Sequence, residues 1–259
     1  MSALRGIVRL SRLTLHLWRG LHSVRVQFPA LTAHERQQRI GEWSRQALQL
    51  LGVHLRVLGE PPEQGPALVV CNHLSWLDIV VLNASWPCRF VSKADVRHWP
   101  VMGRLVEGSG TLFIERDKRR DALRVVHLMS ERLREGDVLA VFPEGTTGDG
   151  QGVWPFHANL LQAAVSVNSP VMPAGVAYHQ GDGQTPTDQA RRHPAPLYTG
   201  DTSLVASLWR TARASDVQAT LHWGQADWAQ GRDRRTWADA LRREVARLSD
   251  QPLADAHRS

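Results

Sequence analysis

Residues 67–78 of this 259-residue chain have the sequence ALVVCNHLSWLD. The first five are apolar and predict a buried strand, and His73 lies five positions before Asp78. On one regular helix these two side chains would point about 140° apart, so they can meet only if His73 lies in a turn and Asp78 in the first turn of the next helix. Ser75 is the expected N-cap of that helix. The stretch therefore predicts a strand, a turn and a helix, with a histidine base whose tautomer is fixed by a carboxylate.

The composition indicates a globular protein with an anionic partner. Hydrophobic residues make up 42% and charged residues 22%, which excludes a disordered or collagen-like chain. The formal net charge is +6 and comes almost entirely from arginine, since lysine occurs only at Lys93 and Lys118. Such a charge fits nucleic acid, a phospholipid surface or a phosphorylated substrate. The 2 cysteines make a weak case for a disulfide framework, so we expect a reducing compartment. They also lack metal-ligand spacing, and we predict neither a metal nor a cofactor.

The first segment predicts a membrane-associating amphipathic helix over residues 3–21. Its apolar residues include Trp18, and its basic residues recur at spacings of three and four, a pattern typical of helices in the headgroup region of an anionic bilayer. These basic residues are Arg5, Arg9, Arg12, His16 and Arg19. The alternative is an ordinary surface helix. Neither a simple spanning helix nor a signal peptide is evident. We expect the protein to be membrane-associated through this helix, at the cytoplasmic face of the inner membrane.

Strand-like and helix-like segments alternate along the rest of the chain. A second helix is predicted to begin at the capping box of Thr32 and Glu35 and to end near Leu51. Strands are expected at residues 54–58, 67–71, 89–92, 111–115, 138–142, 171–178 and 219–223, helices at 119–134, 157–167, 203–212 and 235–248, and a loop at 180–196. The alternation predicts an α/β fold with a mostly parallel sheet flanked by helices.

We divide the chain into three segments. Residues 1–53 form the N-terminal helical, membrane-associating segment, residues 54–226 the central domain, and residues 227–259 a C-terminal helix and tail.

Charged side chains follow two further strands of the predicted sheet. Arg116 ends the stretch GTLFIER at residues 110–116, and Glu144 lies in the stretch FPEGTT at residues 142–147. In open α/β sheets, ligands bind at the carboxyl ends of the strands. We therefore expect His73, Arg116 and Glu144 at one edge of the sheet, each following a different strand.

With these motifs in order, the sequence resembles the glycerolipid acyltransferases, whose best-known members are the 1-acyl-glycerol-3-phosphate acyltransferases. The resemblance covers roughly residues 50–225. Its four blocks are NHxxxxD at residues 72–78, GxxFIxR at 110–116, FPEGT at 142–146 and an apolar segment around Pro173. It implies transfer of a fatty acyl group from an acyl thioester, either acyl-CoA or acyl carrier protein, to the free hydroxyl of a lysolipid.

The resemblance also implies the roles of individual residues. His73 would be the general base, Asp78 would orient it, and the segment around Pro173 would line the acyl or thioester side. Cationic side chains would hold an acceptor phosphate. Glu144 and Gly145 would shape the acceptor site, Glu144 by accepting from a glycerol hydroxyl and Gly145 by permitting close approach of the backbone. The substrate-binding residues implied in this way are Lys93, Arg116, Glu144, Gly145 and Thr146.

The acceptor and the class of function leave alternatives open. The first candidate acceptor is 1-acyl-glycerol-3-phosphate, giving phosphatidate, but Thr147 stands where many family members that use lysophosphatidate carry an arginine. FPEGTT also resembles the branch that acylates lyso-ornithine lipids or other lysolipids. A non-catalytic lipid-binding protein is one alternative of another class, and a thioesterase or esterase is a second, although no G-x-S-x-G motif occurs. No nucleic-acid-binding motif is present, so we expect no nucleic-acid partner.

Overall fold

The computed structural model describes residues 2–99, 101–114, 119–181, 192–200 and 202–254. Within these residues the strands are Val53–Leu58 (β1), Ala67–Cys71 (β2), Arg89–Lys93 (β3), Leu112–Ile114 (β4), Val138–Val141 (β5), Val171–Gln180 (β6) and Val217–Trp223 (β7). The α-helices are Ser2–His22 (α1), Ala33–Leu51 (α2), Leu77–Ser85 (α3), Met102–Gly108 (α4), Arg119–Arg134 (α5), Gln162–Val167 (α6), Leu204–Arg213 (α7) and Arg234–Leu248 (α8). Most of the loop expected at residues 180–196 lies outside the described residues.

The described strands form one 7-stranded sheet in the order β1-β7-β6-β2-β5-β3-β4. Strands β6 and β7 pair antiparallel, and the other neighbours pair parallel. Helices flank the sheet, so the predicted α/β fold with a mostly parallel sheet is confirmed. The division into three segments stays a prediction.

Strand β2 lies near the centre of the sheet, and its five residues are all buried. Because side chains alternate along a strand, Val69 and Cys71 pack into one hydrophobic layer while Leu68 and Val70 pack into the other. The first layer lies beneath α1, α2, α3 and α7, and the second beneath α5, α6 and α8. A strand covered on both faces has a continuous apolar sequence, as observed here.

Asn72 extends the pairing of β2 with β6 beyond the end of β2. The last paired residue of β2 is Cys71, which lies opposite Ala174. The buried Asn72 side chain then donates from Nδ2 to the carbonyl oxygen of Val176 at 2.9 Å and accepts from the Val176 N–H at 2.8 Å. The backbone can therefore leave the sheet and begin its turn while both polar groups of Val176 stay paired.

The N-terminus of α2 forms as predicted. The Thr32 side chain accepts from the Glu35 N–H at 3.3 Å, and Glu35 Oε2 accepts from the Thr32 N–H at 2.7 Å. Gly52 ends the helix with φ of 70°, a left-handed conformation that favours glycine. Leu48 and Leu51 of α2 are buried in the same hydrophobic layer as Leu77 of α3. Helix α2 thereby supports the helix that carries Asp78.

Helix α1 packs on the domain through a buried row that includes two glycines. Gly6, Leu13 and Gly20 are buried at intervals of seven residues. A Cβ atom at Gly6 would lie 2.9 Å from the ring of Trp209 on α7, and one at Gly20 would lie 2.6 Å from Trp43 Nε1 on α2. Because glycine lets these rings approach closely, α1 lies against both α2 and α7.

Two of the basic residues of α1 contact the folded domain. Arg9 donates to the carbonyl oxygens of Ala212 and Ala214 at 3.2 and 2.7 Å, where α7 ends. Cationic side chains are stabilised by the unpaired carbonyls at a helix C-terminus. His16 is buried and stacks on Trp43 with ring centroids 4.7 Å apart. Burial lowers the pKa of His16.

The exposed side of α1 carries a row of large apolar side chains. Leu4 is 68% exposed, Trp18 is 58% exposed, and Ile7, Val8 and Leu15 are exposed beside them. We call these five residues the α1 outer row. Among the described residues, no helix is both long and apolar enough to span a bilayer.

We predict that Asn72→Ala lowers the free energy of unfolding by about 2–4 kcal/mol, because it leaves the buried N–H and carbonyl of Val176 without partners. Urea denaturation followed by tryptophan fluorescence measures this change. Asn159→Ala, an equal truncation at an exposed site, should change the free energy by less than about 0.5 kcal/mol. Equal effects of the two substitutions would contradict the bridging role of Asn72.

Candidate active site

The candidate site is built on the turn between β2 and α3. Asp78 is the second residue of α3 and is fully buried. Its Oδ2 atom accepts from the backbone N–H groups of Leu74 and Ser75 at 2.7 and 2.8 Å and from His73 Nδ1 at 2.8 Å. The predicted strand, turn and helix are thus present, and they bring His73 and Asp78 into contact.

The N-cap assignment of Ser75 is wrong by one residue. Helix α3 begins at Leu77 and Trp76 holds the N-cap position. The Ser75 hydroxyl donates to the carbonyl oxygen of Pro196 at 2.5 Å and accepts from the Leu77 N–H at 3.2 Å. The N–H groups of Leu74 and Ser75, which precede the helix, donate to Asp78. The Ser75 hydroxyl links the turn to the segment around Pro196.

The contacts of His73 determine its tautomer. An ionised carboxylate only accepts hydrogen bonds, so Nδ1 carries the proton that Asp78 receives and Nε2 carries the lone pair. The side chain is 19% exposed, in contrast to the fully buried Asp78. The ring stacks on Phe142, with centroids 3.9 Å apart and planes 11° apart. Contacts with Asp78 and Phe142 therefore fix the orientation of a base that remains open to solvent.

The residues after β5 hold the backbone of His73. Glu144 Oε1 accepts from the His73 N–H at 2.7 Å, and the Gly148 N–H donates to the His73 carbonyl at 2.7 Å. Glu144 Oε2 accepts from the Trp154 N–H at 2.8 Å. Each oxygen of this buried carboxylate thus has a backbone donor, so Glu144 joins the turn after β2 to the segment after β5. Binding of an acceptor hydroxyl by Glu144 stays a prediction.

The charge state of Glu144 is sensitive to pH. Burial raises the pKa of Glu144 to about 7, although the N–H groups of Trp154 and His73 act in the opposite direction. Asp78 contributes further to the rise by charge repulsion.

The remaining predicted site residues differ in how far the structure describes them. Gly145 follows Glu144 with φ of 76°, so this turn favours glycine, and Thr146 is exposed beside it. Arg116 and the side chain of Lys93 lie outside the described residues. Their substrate-binding roles stay predictions, as does the role of the Pro173 segment, which lies within β6 opposite Val70.

Three side chains at the site were assigned no role from the sequence. Asn72 and Phe142 occur within the quoted motifs, but neither pattern indicates a bond to Val176 or stacking on a histidine. Tyr178 lies on β6, and its hydroxyl donates to Asp78 Oδ1 at 2.6 Å. Tyr178 carries the one hydroxyl among the ten residues of β6, and this is the one sequence signal that points to it.

Comparison with known proteins shows the family to which the chain belongs. The acyltransferase family model matches residues 53–177, which include β1 to β5 and most of β6. A lyso-ornithine lipid O-acyltransferase of Pseudomonas aeruginosa is 35% identical over 98% of this chain and 93% of its own length. The chain belongs to the acyltransferase family.

Two further proteins are similar to this chain. A 1-acyl-sn-glycerol-3-phosphate acyltransferase of Neisseria meningitidis is 32% identical over 81% of this chain and 80% of its own length. The crystal structure of a 1-acyl-sn-glycerophosphate acyltransferase from Thermotoga maritima has a TM-score of 0.64 at 19% identity and covers 95% of both chains. At this identity, the structural likeness establishes a shared fold.

We predict that Glu144 makes the stability of the protein depend on pH. Its pKa is about 7 in the folded chain and 4.5 as an ordinary side chain, so folding favours the protonated form. The resulting stabilisation is fully present below pH 4.5 and is lost as pH rises through 7. Relative to Glu144→Gln, the free energy of unfolding of the wild type should fall by about 1–2 kcal/mol between pH 5 and pH 7.5.

Urea denaturation at the two pH values measures this difference. Glu135→Gln, the same change at an exposed carboxylate directly after α5, should leave the pH dependence of the wild type intact. The prediction would be contradicted if the difference in the free energy of unfolding between the wild type and Glu144→Gln were the same at both pH values.

Proposed function

We propose that this protein transfers a fatty acyl group from an acyl thioester, acyl-CoA or acyl carrier protein, to the free hydroxyl of a lysolipid. The observation that carries the proposal is the 2.8 Å bond between His73 Nδ1 and the fully buried Asp78. Burying a carboxylate costs free energy, and a non-catalytic lipid-binding protein has no need to hold one against a histidine. The pair therefore favours catalysis over simple lipid binding.

In the proposed reaction, His73 first accepts a proton from the lysolipid hydroxyl and then donates it to the departing sulfur. Nε2 takes the proton of the lysolipid hydroxyl as that oxygen attacks the thioester carbonyl carbon. The carbon–sulfur bond of the tetrahedral intermediate then breaks, and the departing sulfur takes the proton back from Nε2. Asp78 stabilises the imidazolium between the two steps. The thioester is already activated, so the reaction requires no serine or cysteine nucleophile.

The first candidate acceptor is 1-acyl-glycerol-3-phosphate. In the sequence, Arg116 follows β4 and Lys93 is the last residue of β3, and both are candidates to bind the acceptor phosphate. A guanidinium can bind a phosphate through two parallel hydrogen bonds. The name of the Neisseria meningitidis relative supports this candidate.

Lyso-ornithine lipid is the second candidate acceptor. Thr147 lacks the positive charge that the phosphate of 1-acyl-glycerol-3-phosphate would favour at this position. Thr147 is close to the base in the chain fold, because the N–H of the next residue, Gly148, donates to the His73 carbonyl. The name of the Pseudomonas aeruginosa relative, which aligns with nearly the whole chain, supports this candidate.

We further propose that the α1 outer row docks on the cytoplasmic face of the inner membrane. A row of exposed apolar side chains on one helix face loses contact with water when it enters the headgroup region. The exposed Arg12 and Arg19 flank the row, where they can attract anionic lipid headgroups. Such docking would bring the active site to the bilayer in which lysolipid acceptors reside.

We predict that His73→Ala lowers kcat by about 10²–10⁴-fold, because the hydroxyl loses its base. The assay follows thiol release from acyl-CoA with 1-acyl-glycerol-3-phosphate and lyso-ornithine lipid offered side by side, and mass spectrometry identifies the acylated product. His127→Ala, an exposed histidine on α5, is the matched control and should retain wild-type activity. Full activity of His73→Ala, or no wild-type turnover with any lysolipid and thioester pair, would refute the proposal.

We also predict that the double substitution Leu15→Ser and Trp18→Ser lowers partitioning onto lipid vesicles by about tenfold or more, because less apolar surface enters the bilayer. Sedimentation with vesicles of phosphatidylcholine and phosphatidylglycerol measures the bound fraction. Leu123→Ser removes an equally exposed leucine from α5 and should leave binding unchanged. Unchanged binding of the double variant would exclude the α1 outer row as the docking surface.

A further inference from the structure

The second oxygen of Asp78 has a partner from a distant part of the chain. Oδ2 accepts the three N–H groups of the turn, and Oδ1 accepts the hydroxyl of Tyr178 at 2.6 Å. Tyr178 is only 3% exposed and lies on β6, one hundred residues beyond Asp78. The bond is short, as expected for a hydroxyl donating to a charged acceptor.

We propose that Tyr178 is a positioning residue of acyl transfer, whose hydroxyl holds the Asp78 carboxylate so that Oδ2 stays directed at His73 Nδ1. This inference rests on the proposed function. A carboxylate bound through one oxygen can rotate about its bond to Cβ, whereas bonds at both oxygens fix its plane. The residue acts through Asp78 and has no direct contact with reacting atoms.

The position of Tyr178 is set by the same link that ends β2. Asn72 binds both backbone polar groups of Val176, which precedes Tyr178 by two residues on the same face of β6. The turn that carries His73 and the strand that carries Tyr178 are therefore joined at a fixed register. Movement of β6 relative to β2 would break the Asn72 and Tyr178 contacts together.

The phenol of Tyr178 is suited to act as a constant donor. Burial raises its pKa well above the ordinary value, and the charge of Asp78 raises it further, so the hydroxyl keeps its proton at any pH at which the protein works. Among the described residues, the other titratable groups around Asp78 are His73, the buried thiol of Cys71 on β2, and Glu144 after β5. Burial also raises the pKa of Cys71, so this thiol stays neutral.

Loss of the hydroxyl should affect both the rate and its pH dependence. Tyr178→Phe should lower kcat by about 10–100-fold, the size expected for one hydrogen bond to a charged group, with KM for both substrates within about twofold. The profile of kcat against pH should also change, because the hydroxyl acts through the carboxylate that orients the base. A purely structural role would lower activity equally at all pH values.

The matched control is Tyr198→Phe, which removes the hydroxyl of the only other tyrosine in the chain and no bond to Asp78. It should retain wild-type kcat and pH dependence. In an Asp78→Asn background, the effect of Tyr178→Phe on kcat should shrink to about twofold or less, because the residue that transmits it is already altered. A full-sized effect in that background would overturn the proposal, as would a Tyr178→Phe enzyme with wild-type kcat.

A spectroscopic measurement tests the contact without requiring activity. In Tyr198→Phe protein grown with 3-fluorotyrosine, Tyr178 is the only labelled residue. Its ¹⁹F resonance should shift when Asp78→Asn is introduced and should stay in place with His127→Ala. An unchanged resonance in Asp78→Asn would overturn the inference even if Tyr178→Phe fails to fold. A shifted resonance in an enzyme that acylates no lysolipid would instead confirm the contact and refute the proposed function.

Discussion

The buried charge of Asp78 is the constraint on which the rest of the site depends. An ionised carboxylate away from water is stable only when donors surround it, and here the donors are two backbone N–H groups, one imidazole and one phenol. These donors come from the turn after β2 and from β6. Any rearrangement of the turn would leave the charge with fewer partners. The contacts that keep this buried carboxylate stable in the fold are therefore also the contacts that orient His73.

Much of the fold and the centre of the site follow from local sequence. The apolar run of β2 and the spacing of His73 and Asp78 predict a turn that the structure contains, and the Thr32 capping box correctly places the start of α2. Contacts between distant segments do not follow in this way. Nothing near Tyr178 indicates that β6 passes Asp78, because that proximity depends on strand order. The stacking of Phe142 on His73 likewise depends on β5 lying beside β2.

Helix α1 illustrates a second limit of sequence patterns. Its periodicity indicates an amphipathic helix, but periodicity alone does not say which face turns inward. That choice depends on Gly6 and Gly20, which admit the rings of Trp209 and Trp43, and on Arg9, which binds the last carbonyls of α7. Arg9, which the sequence grouped with the lipid-contacting residues, joins α1 to α7. The α1 outer row lies on the exposed side of the helix. The helix is therefore part of the folded domain as well as a candidate contact with the bilayer.

The unequal lengths of β2 and β6 affect which changes in chain length the protein can accept. Strand β6 continues from residue 175 to residue 180 beyond its last pairing with β2, a distance of about 20 Å, and Tyr178 lies on this extension. Successive side chains of a strand point to opposite faces, so deletion of a single residue between Ala174 and Tyr178 would turn the phenol away from Asp78. Insertions after Gln180 would leave that alternation intact. The spacing within β6 must therefore stay constant, because it sets the face of the strand on which Tyr178 lies.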